Sequence, residues 1–408
     1  MTYRVKKTPR LNGLGRSKDR PKVAILHPRL VEGGGSESRP LRVAQALKSD
    51  YQVSLITMGR VDLQRLNESY GTNLKAGEIE IIEIPIPFPF RNRFDALRSY
   101  RLARYSKQRA FDFDVVISTY NVMDFGRKGI QFIADFSFDD KLRRAFDCKP
   151  GGLRTLVYRA SPFRWVYLKL SDLLSGTNRD QWKRNVTIVN SDWSGEVIRR
   201  TYGVRTRRIY PPVAEGFPII SWDNRENGFV CIGRLVPEKG IDKIIGILGK
   251  VRREGWGGHL HIIGAVDNSD YVRKLKQLCQ KNREWIFIEG PVFGQRKLDF
   301  IARHKFAISG RENEPFGIAV AEMLKGGCIV WVPNGGGQVE IVRHPTLIYN
   351  DMEDALRKIG RVLHDETEQI ILREYLGRQS EKFSAQRFVS EIRTIVEEFL
   401  EGNGRKEE

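Results

Sequence analysis

The sequence predicts an α/β protein made of two doubly wound domains of similar size. Three observations carry that expectation. The chain has 408 residues, more than one typical core organises and enough for two domains. Short β-rich runs alternate with helical segments, which is the pattern of a parallel sheet. The alternation then restarts after "YPPV" (210–213), a proline pair that reads as a linker.

In the first half, "KVAILH" (22–27) is an apolar strand, followed by the glycine-rich turn "EGGGSES" (32–38) and a helix-like "LRVAQALKSD" (41–50). "YQVSLIT" (51–57), "DFDVVIST" (112–119), "IQFIADF" (130–136) and "VTIVNSD" (186–192) continue the strand series. In the second half the strands are "GFVCIGRL" (228–235), "HLHIIGA" (259–265), "WIFIEGPV" (285–292), "FAISG" (306–310) and "CIVWVP" (328–333). The expected division is a basic flexible tail at 1–20, a first domain at 21–210, a second at 211–382 and a final helix at 383–408. Open α/β sheets bind ligands beyond the carboxyl ends of their strands. A cleft between two such domains is therefore the expected site.

Composition narrows the class. The chain is 40% hydrophobic and 29% charged, as globular proteins are. It has no run of eighteen apolar residues and no apolar signal-peptide core near its first residue, so the reading is a cytoplasmic protein. Cys148, Cys231, Cys279 and Cys328 lie far apart, which argues for reduced thiols and against a disulfide framework or a zinc site. The net charge is +19, and one half carries all of it. Residues 1–210 hold 40 Lys+Arg against 21 Asp+Glu, and residues 211–408 hold 29 against 29. That asymmetry points to an anionic partner for the first half, either a membrane surface or nucleic acid. The helix-like 91–110 has seven basic residues and one acidic, and 141–170 mixes basic residues with aromatics, as in "LVYRASPFRWVYLKL". Such surfaces suit a peripheral membrane contact. "IIEIPIPFPF" (81–90) is more apolar than an exposed loop should be; the alternative is a strand-to-loop passage packed under the domain. The plainer reading of the charge is a solvated surface.

Chemistry-bearing residues concentrate in the second half. "CIGRLVPEKG" (231–240) leaves a strand and enters a helix, with Gly233 and Gly240 framing Arg234 and Lys239. Two cations beside a helix N-terminus suit a diphosphate. "VEGGGSES" (31–38), with Gly34 and Gly35, is a second loop where backbone approaches an anion closely, although it is neither a P-loop nor a G-x-G-x-x-G fingerprint. "RENEPFGIAVAEMLKGG" (311–327) holds two carboxylates. Glu314 stands at a helix entrance with free backbone N–H groups. Glu322 lies two turns on, flanked by apolar residues. A buried carboxylate needs strong partners, and vicinal sugar hydroxyls would supply them. The alternatives are dipole stabilisation for Glu314 and a surface salt bridge for Glu322. His27, at a strand end, reads as structural.

These stretches together carry a resemblance. "EPFGIAVAE", a Glu, seven residues and a Glu, resembles the signature of the family-four retaining glycosyltransferases with the GT-B fold. "GRLVPEKG" resembles their donor-phosphate motif and "NGGGQVEIV" (334–342) the loop after it. "HPRLVEGGG" (27–35) and "VNSDWSGEVIRRTYGV" (189–204) with "IYPPV" look more particularly like the mannosyltransferases that elongate lipid-linked oligosaccharides for asparagine-linked glycosylation. The resemblance covers 22–345, and "FSAQRFVSEIRTIVEEFLEG" (383–402) fits the family's last helix, which crosses back to the first domain. It implies two Rossmann-like domains facing a central cleft. Arg234 and Lys239 would hold the donor diphosphate, Glu322 the ribose and Glu314 the transferred sugar. Phe316, Gly317 and Ile318 would offer backbone contacts, with Gly233 beside the phosphates, Gly264 and Val292 by the base and Gly34 and Gly35 approaching from the first domain. Where relatives carry a histidine after a strand like "IQFI", this sequence has Ala134 and Asp135, leaving Asp135 as the candidate polar group. Glu37 is followed by Ser38, Arg39 and Pro40 rather than by the usual Glu-Arg pair.

The expected function is retaining transfer of a hexose, with mannose the implied sugar. The donor would be a GDP- or UDP-linked nucleotide sugar, and the acceptor a glycan or lipid-linked one at the inner face of a membrane. No cofactor and no metal enter this reading, since no Asp-x-Asp signature is evident. The rivals are a nucleotide-sugar epimerase of the same fold, for which the six histidines form no convincing acid/base pair, and a basic nucleic-acid-binding protein, for which no recognition motif exists.

Overall fold

A computed structural model describes residues 20–30, 37–86, 95–146, 173–178, 180–267 and 269–404, together with 6–7 and 169. Gly34 and Gly35, Cys148, 87–90 and most of 141–170 lie outside the described residues.

The chain forms two compact units. One comprises Met1–Asn190, Gly195–Ile209 and Gln386–Glu408; the other comprises Ser191–Ser194 and Tyr210–Ala385. The short stretch Ser191–Ser194 thus groups with the second unit, where the sequence division had placed it with the first.

The first unit holds strands β1 (Lys6–Lys7), β2 (Lys22–His27), β3 (Gln52–Met58), β4 (Glu80–Ile84), β5 (Val115–Ser118), β6 (Ile130–Ile133), β7 (Val186–Val189) and β8 (Thr206–Arg208). Their spatial order is β1-β4-β3-β2-β5-β6-β7-β8. Every pairing is parallel except β1 with β4. Lys6 and Lys7 thus belong to a sheet edge, within the stretch expected to be a flexible tail. Each central strand is largely apolar because both of its faces are buried. Val23, Ile25, Val53, Leu55, Val115 and Ile117 enter one core cluster. Their alternating neighbours Ala24, Leu26, Ile56, Met58 and Val116 enter another. The period of two is the pleat itself.

Four of the described strands are absent from the expected series: β1, β4, β8 and, in the second unit, Ile348–Tyr349. β4 favours the packed strand-to-loop alternative for 81–90 over the exposed one. Ile82 and Ile84 are buried and Ile86 packs on the same cluster, so the apolar residues up to 86 are core. The basic helix is observed at Asp95–Arg109. Leu102 and Ser106 are buried, while Lys107 pairs with Asp124 at 3.0 Å and Arg109 with Asp112 at 2.7 Å. Among the described residues no helix is long and apolar enough to cross a membrane.

The second unit holds β9 (Glu226–Ile232), β10 (His259–Ile263), β11 (Ile286–Gly290), β12 (His304–Ile308), β13 (Ile329–Pro333) and β14 (Ile348–Tyr349). They are ordered β11-β10-β9-β12-β13-β14. Numbered along this unit that is 3-2-1-4-5-6, the doubly wound order of dinucleotide-binding sheets. Cys231, Cys279 and Cys328 are buried free thiols. Burial pushes Cys231 and Cys328 up to about 12 and Cys279 to about 11, so all three stay protonated at neutral pH. The last helix, Ala385–Gly404, places Phe388, Ile392, Ile395, Val396 and Phe399 in the core of the first unit, at helical spacing.

One close approach fixes the carboxyl ends of β9 and β10. Gly233 N–H donates to Ile263 O at 2.9 Å, and a Cβ on Gly264 would lie 1.8 Å from Gly233 O. Gly264→Ala is expected to cost roughly 1–3 kcal/mol of stability or more, as overpacking does. Gly257→Ala, where a Cβ meets nothing within 4 Å, should stay within about 0.5 kcal/mol. Urea unfolding of the two variants beside the unmodified chain checks the contrast.

Candidate active site

β9 and β12 are neighbours from which the chain departs in opposite directions, the topological switch point of the second sheet. The loop after β9 carries Gly233, Arg234 and Lys239. The loop after β12 carries Arg311 and Glu314. The two backbones touch through glycines: a Cβ on Gly240 would lie 2.6 Å from Gly310 O.

Across that contact the side chains meet. Lys239 Nζ donates to Glu314 Oε2 at 2.5 Å, and Arg311 Nη1 lies 3.6 Å from Glu314 Oε1. Burial pushes the Glu314 carboxyl upward, but Lys239, then Arg311, with Arg234 further off, outweigh it and hold it below its ordinary value. Arg234 is exposed, and its side chain makes no hydrogen bond or ion pair among the described residues. The cluster thus has three cations around one carboxylate, one of which, Arg234, is open to solvent. An arrangement of this kind attracts an anion.

The loop that holds Glu314 is braced from three sides. Gly337 N–H donates to Glu314 O at 2.8 Å. Cβ atoms on Gly335, Gly336 and Gly337 would lie 2.4, 2.3 and 2.4 Å from the carbonyl oxygens of Glu312, Glu314 and Pro315. Buried Gln338 donates to Arg311 O at 2.5 Å and accepts from Ser309 Oγ at 3.1 Å. Ser191 and Ser194 donate to Pro315 O at 2.5 and 3.0 Å. Gly317 caps the following helix, Ile318–Lys325, with φ +99°, a conformation that favours glycine. The Phe316 ring packs between Tyr210 and Phe383, so its backbone alone faces the loop side.

Glu322 answers the question its apolar flanks raise. It is 8% exposed, and Lys297 Nζ donates to its Oε1 at 2.6 Å. Gly264 and buried Val292 follow β10 and β11. Arg234, Lys239 and Glu314 with Gly233 and Gly317 are therefore gathered at one end of one sheet, and Glu322 lies in the helix that starts there. The residues that sequence reasoning missed are Lys297, Arg311, Gln338 and the two serines. Arg311 stands three residues before Glu314 and so had a local signal. Lys297 had none.

The first unit carries its own polar cluster at its switch point, between β2 and β5. His27, at the end of β2, is buried and contacts Thr119 Oγ1 at 3.1 Å. Thr119 Oγ1 donates to Leu26 O, so His27 Nδ1 is the donor to Thr119. Burial, then Arg39, pushes His27 down to about 3, so it stays neutral. Burial pulls Arg39 down to about 10 against Asp135 and Glu37; its Nη1 donates to Thr119 O at 3.0 Å. Asp135 Oδ1 accepts from Asn121 Nδ2 at 3.0 Å and from Ser137 N–H at 2.8 Å. The Gly34 and Gly35 expectation falls outside the described residues.

Comparison with known proteins follows from this geometry. Residues 214–383 match the family Glycosyl transferases group 1. A GDP-mannose-dependent alpha-(1-6)-phosphatidylinositol monomannoside mannosyltransferase of Mycobacterium tuberculosis is 31% identical over 121 residues, 28% of this chain and 31% of that protein. An uncharacterized glycosyltransferase of Methanocaldococcus jannaschii is 27% identical over 189 residues, 44% of this chain and 47% of its own length. The chain thus spans less than half the length of these curated relatives. Among solved structures, sucrose-phosphate synthase from Thermosynechococcus elongatus has a TM-score of 0.66 at 14% identity, covering 94% of this chain and all of that one. WaaG, a glycosyltransferase involved in lipopolysaccharide biosynthesis, has a TM-score of 0.66 at 14% identity, covering 91% and 99%. Anabaena HepE, solved with UDP and glucose, has a TM-score of 0.63 at 15% identity, covering 93% and 100%. The fold is GT-B, and the group 1 match together with the glycosyltransferase relatives supports a transferase enzyme.

Lys239→Met should strand Glu314 and cost about 3 kcal/mol at pH 7, as breaking a buried pair does. Glu314 has a depressed folded value, so its stabilising contribution is present above its unfolded value and lost as pH falls through the folded one. The difference between the two proteins should therefore shrink toward pH 4, and Lys239→Met with Glu314→Gln should recover part of the loss. Chemical unfolding at both pH values reads all three.

Proposed function

We propose that the chain is a retaining glycosyltransferase that moves mannose from GDP-mannose to a lipid-linked or glycan acceptor. The observation that supports it best is the Lys239–Glu314 pair with Arg311 and Arg234 at the switch point of a 3-2-1-4-5-6 sheet. Binding of a nucleoside diphosphate there exchanges the carboxylate partner of Lys239 for phosphate oxygens. Arg234 supplies a planar fork to the same group, and Lys239 a point charge.

In this reading the two cations and the N–H groups of Gly317 and Ile318 face the charge that develops on the leaving diphosphate, preorganised before the bond breaks. Glu314, freed from Lys239, accepts from hydroxyls of the transferred sugar. Glu322 accepts from the ribose hydroxyls, with Lys297 holding its other side. Gly264 and Val292 flank the base. The mannosyl donor and lipid acceptor in the name of the mycobacterial relative favour GDP-mannose and a membrane substrate. The excess of cations in residues 1–210 favours an anionic inner membrane face as the place of work. Lys107 and Arg109 already have carboxylate partners, so lipid contact falls to the other cations.

Thermal stabilisation by GDP, UDP and ADP tests this directly. GDP should raise the melting temperature, by about 2.7 kcal/mol of added stability at 100 times its dissociation constant. The shift should vanish in Glu322→Ala and Arg234→Ala. With GDP-mannose and a lipid-linked acceptor, Arg234→Ala should lower kcat on the order of 10²–10³, and the product bond should keep the donor's anomeric configuration by NMR. Indifference to all three nucleotides would overturn the reading.

A further inference from the structure

Three of the six histidines of the chain converge at the end of the second sheet opposite Arg234 and Glu314. His259 and His261 open β10, His304 opens β12, and Glu226 opens β9 between them. In register Glu226 stands beside His304, and Gly228 beside His259. Gly228 is what lets the His259 ring lie across β9, since a Cβ there would sit 2.3 Å from His259 Nε2. One side-chain N or O atom from each of the four residues lies within 4.8 Å of the others.

The orientation of each group separates this cluster from an ordinary hydrogen-bonded one. His304 Nδ1 contacts Phe300 O at 2.6 Å. A carbonyl only accepts, so the proton is on Nδ1 and Nε2 carries a lone pair. His304 is fully buried, and its Nε2 has no hydrogen-bond partner although it lies 3.5 Å from Glu226 Oε2. A buried polar atom left unpaired in this way requires an explanation. His261 Nδ1 is held by the carboxylate of Glu289 at 2.6 Å, which leaves its Nε2. Arg303 Nε lies 3.0 Å from Glu226 Oε1, which leaves Oε2, and Oε2 is 3.0 Å from His259 Nε2. A carbonyl and a carboxylate thus each fix the outer atom of one imidazole, as the outer partners of metal ligands do, and the Arg303 guanidinium lies in ion-pair distance of the outer oxygen of Glu226.

We propose that Glu226, His259, His261 and His304 form a binding site for a zinc-type divalent cation. Three imidazoles and a carboxylate suit Zn²⁺ and not Mg²⁺ or Ca²⁺, which take oxygen ligands. Zn–N bonds of 2.0–2.1 Å place tetrahedral ligand atoms roughly 3.3 Å apart. The 3.0 and 3.5 Å separations around Glu226 Oε2 bracket that spacing. Four protein ligands fill the tetrahedron and leave no position for a substrate, so the ion is a structural clamp across β10, β9 and β12. The side chains of His259 and Glu226 are 26% and 37% exposed, which provides the entry path. The site stands independently of glycosyl transfer.

The test uses the full chain, dialysed against a chelator and titrated with Zn²⁺ against a chromophoric competitor and with Co²⁺ by visible absorption. One equivalent should bind, with the absorption of tetrahedral cobalt, and Zn²⁺ should displace it and raise the melting temperature. His259→Ala and His261→Ala, at the more exposed positions, should abolish that equivalent while the chain stays folded by circular dichroism. Glu289→Gln should keep the equivalent with 10–100-fold weaker affinity, an effect that a hydrogen bond serving only the fold would not have. Absence of stoichiometric uptake by the unmodified chain, or uptake unchanged in both histidine variants, would overturn the proposal.

Discussion

A carboxylate out of water cannot stand alone, and Glu314 sets the terms for everything around it. Its burial demands cations, and the cations come from two loops that leave neighbouring strands in opposite directions. Bringing Lys239 to 2.5 Å requires the loop backbones to touch, and only glycine at 240 and 310 permits that approach. Holding the Glu314 backbone requires Gly335–Gly337 and Gln338 to wrap it. The parallel sheet supplies the frame, but the electrostatic debt of one buried group decides how closely its loops pack.

The two units solve a related problem with different chemistry. At the switch point of the second unit, cations surround an acid and one of them faces solvent. At that of the first, Arg39, neutral His27, Asn121 and Asp135 form a network in which each described member has a partner. The first is suited to receive an anion. The second is suited to hold a fixed shape, and burial keeps His27 from gaining a charge that would disturb it.

Much of the sheet was legible because its strands are apolar on both faces, so "KVAILH", "YQVSLIT" and "CIVWVP" announce themselves without alternation. β4 was not, because Glu80 and Glu83 interrupt its apolar run and the prolines after it read as loop. β8 and β14 are three and two residues long, too short for any period. The site was legible where spacing carried the chemistry. Arg234 and Lys239 sit five residues apart in one loop, and Glu314 and Glu322 stand at the two ends of a short apolar segment. It was illegible where the partner came from elsewhere in the chain. Lys297 reaches Glu322 from 25 residues away, and Ser191 reaches Pro315 from 124. The histidines at 259, 261 and 304 read as scattered until the strand order β10-β9-β12 put them side by side.

The final helix gives the chain an unusual order of completion. Its Phe388, Ile392, Ile395, Val396 and Phe399 belong to the core that β2, β3 and β5 also build, so the first unit joins residues before 210 to residues after 385. During synthesis, which proceeds at about 5–20 residues per second, the second unit has nearly all of its residues before the first can close. The face of the first sheet that this helix covers stays open to water or to a chaperone for the whole of that interval. Elongation speed and the emergence of residues 385–404 from the ribosome thereby become part of how this molecule reaches its native state.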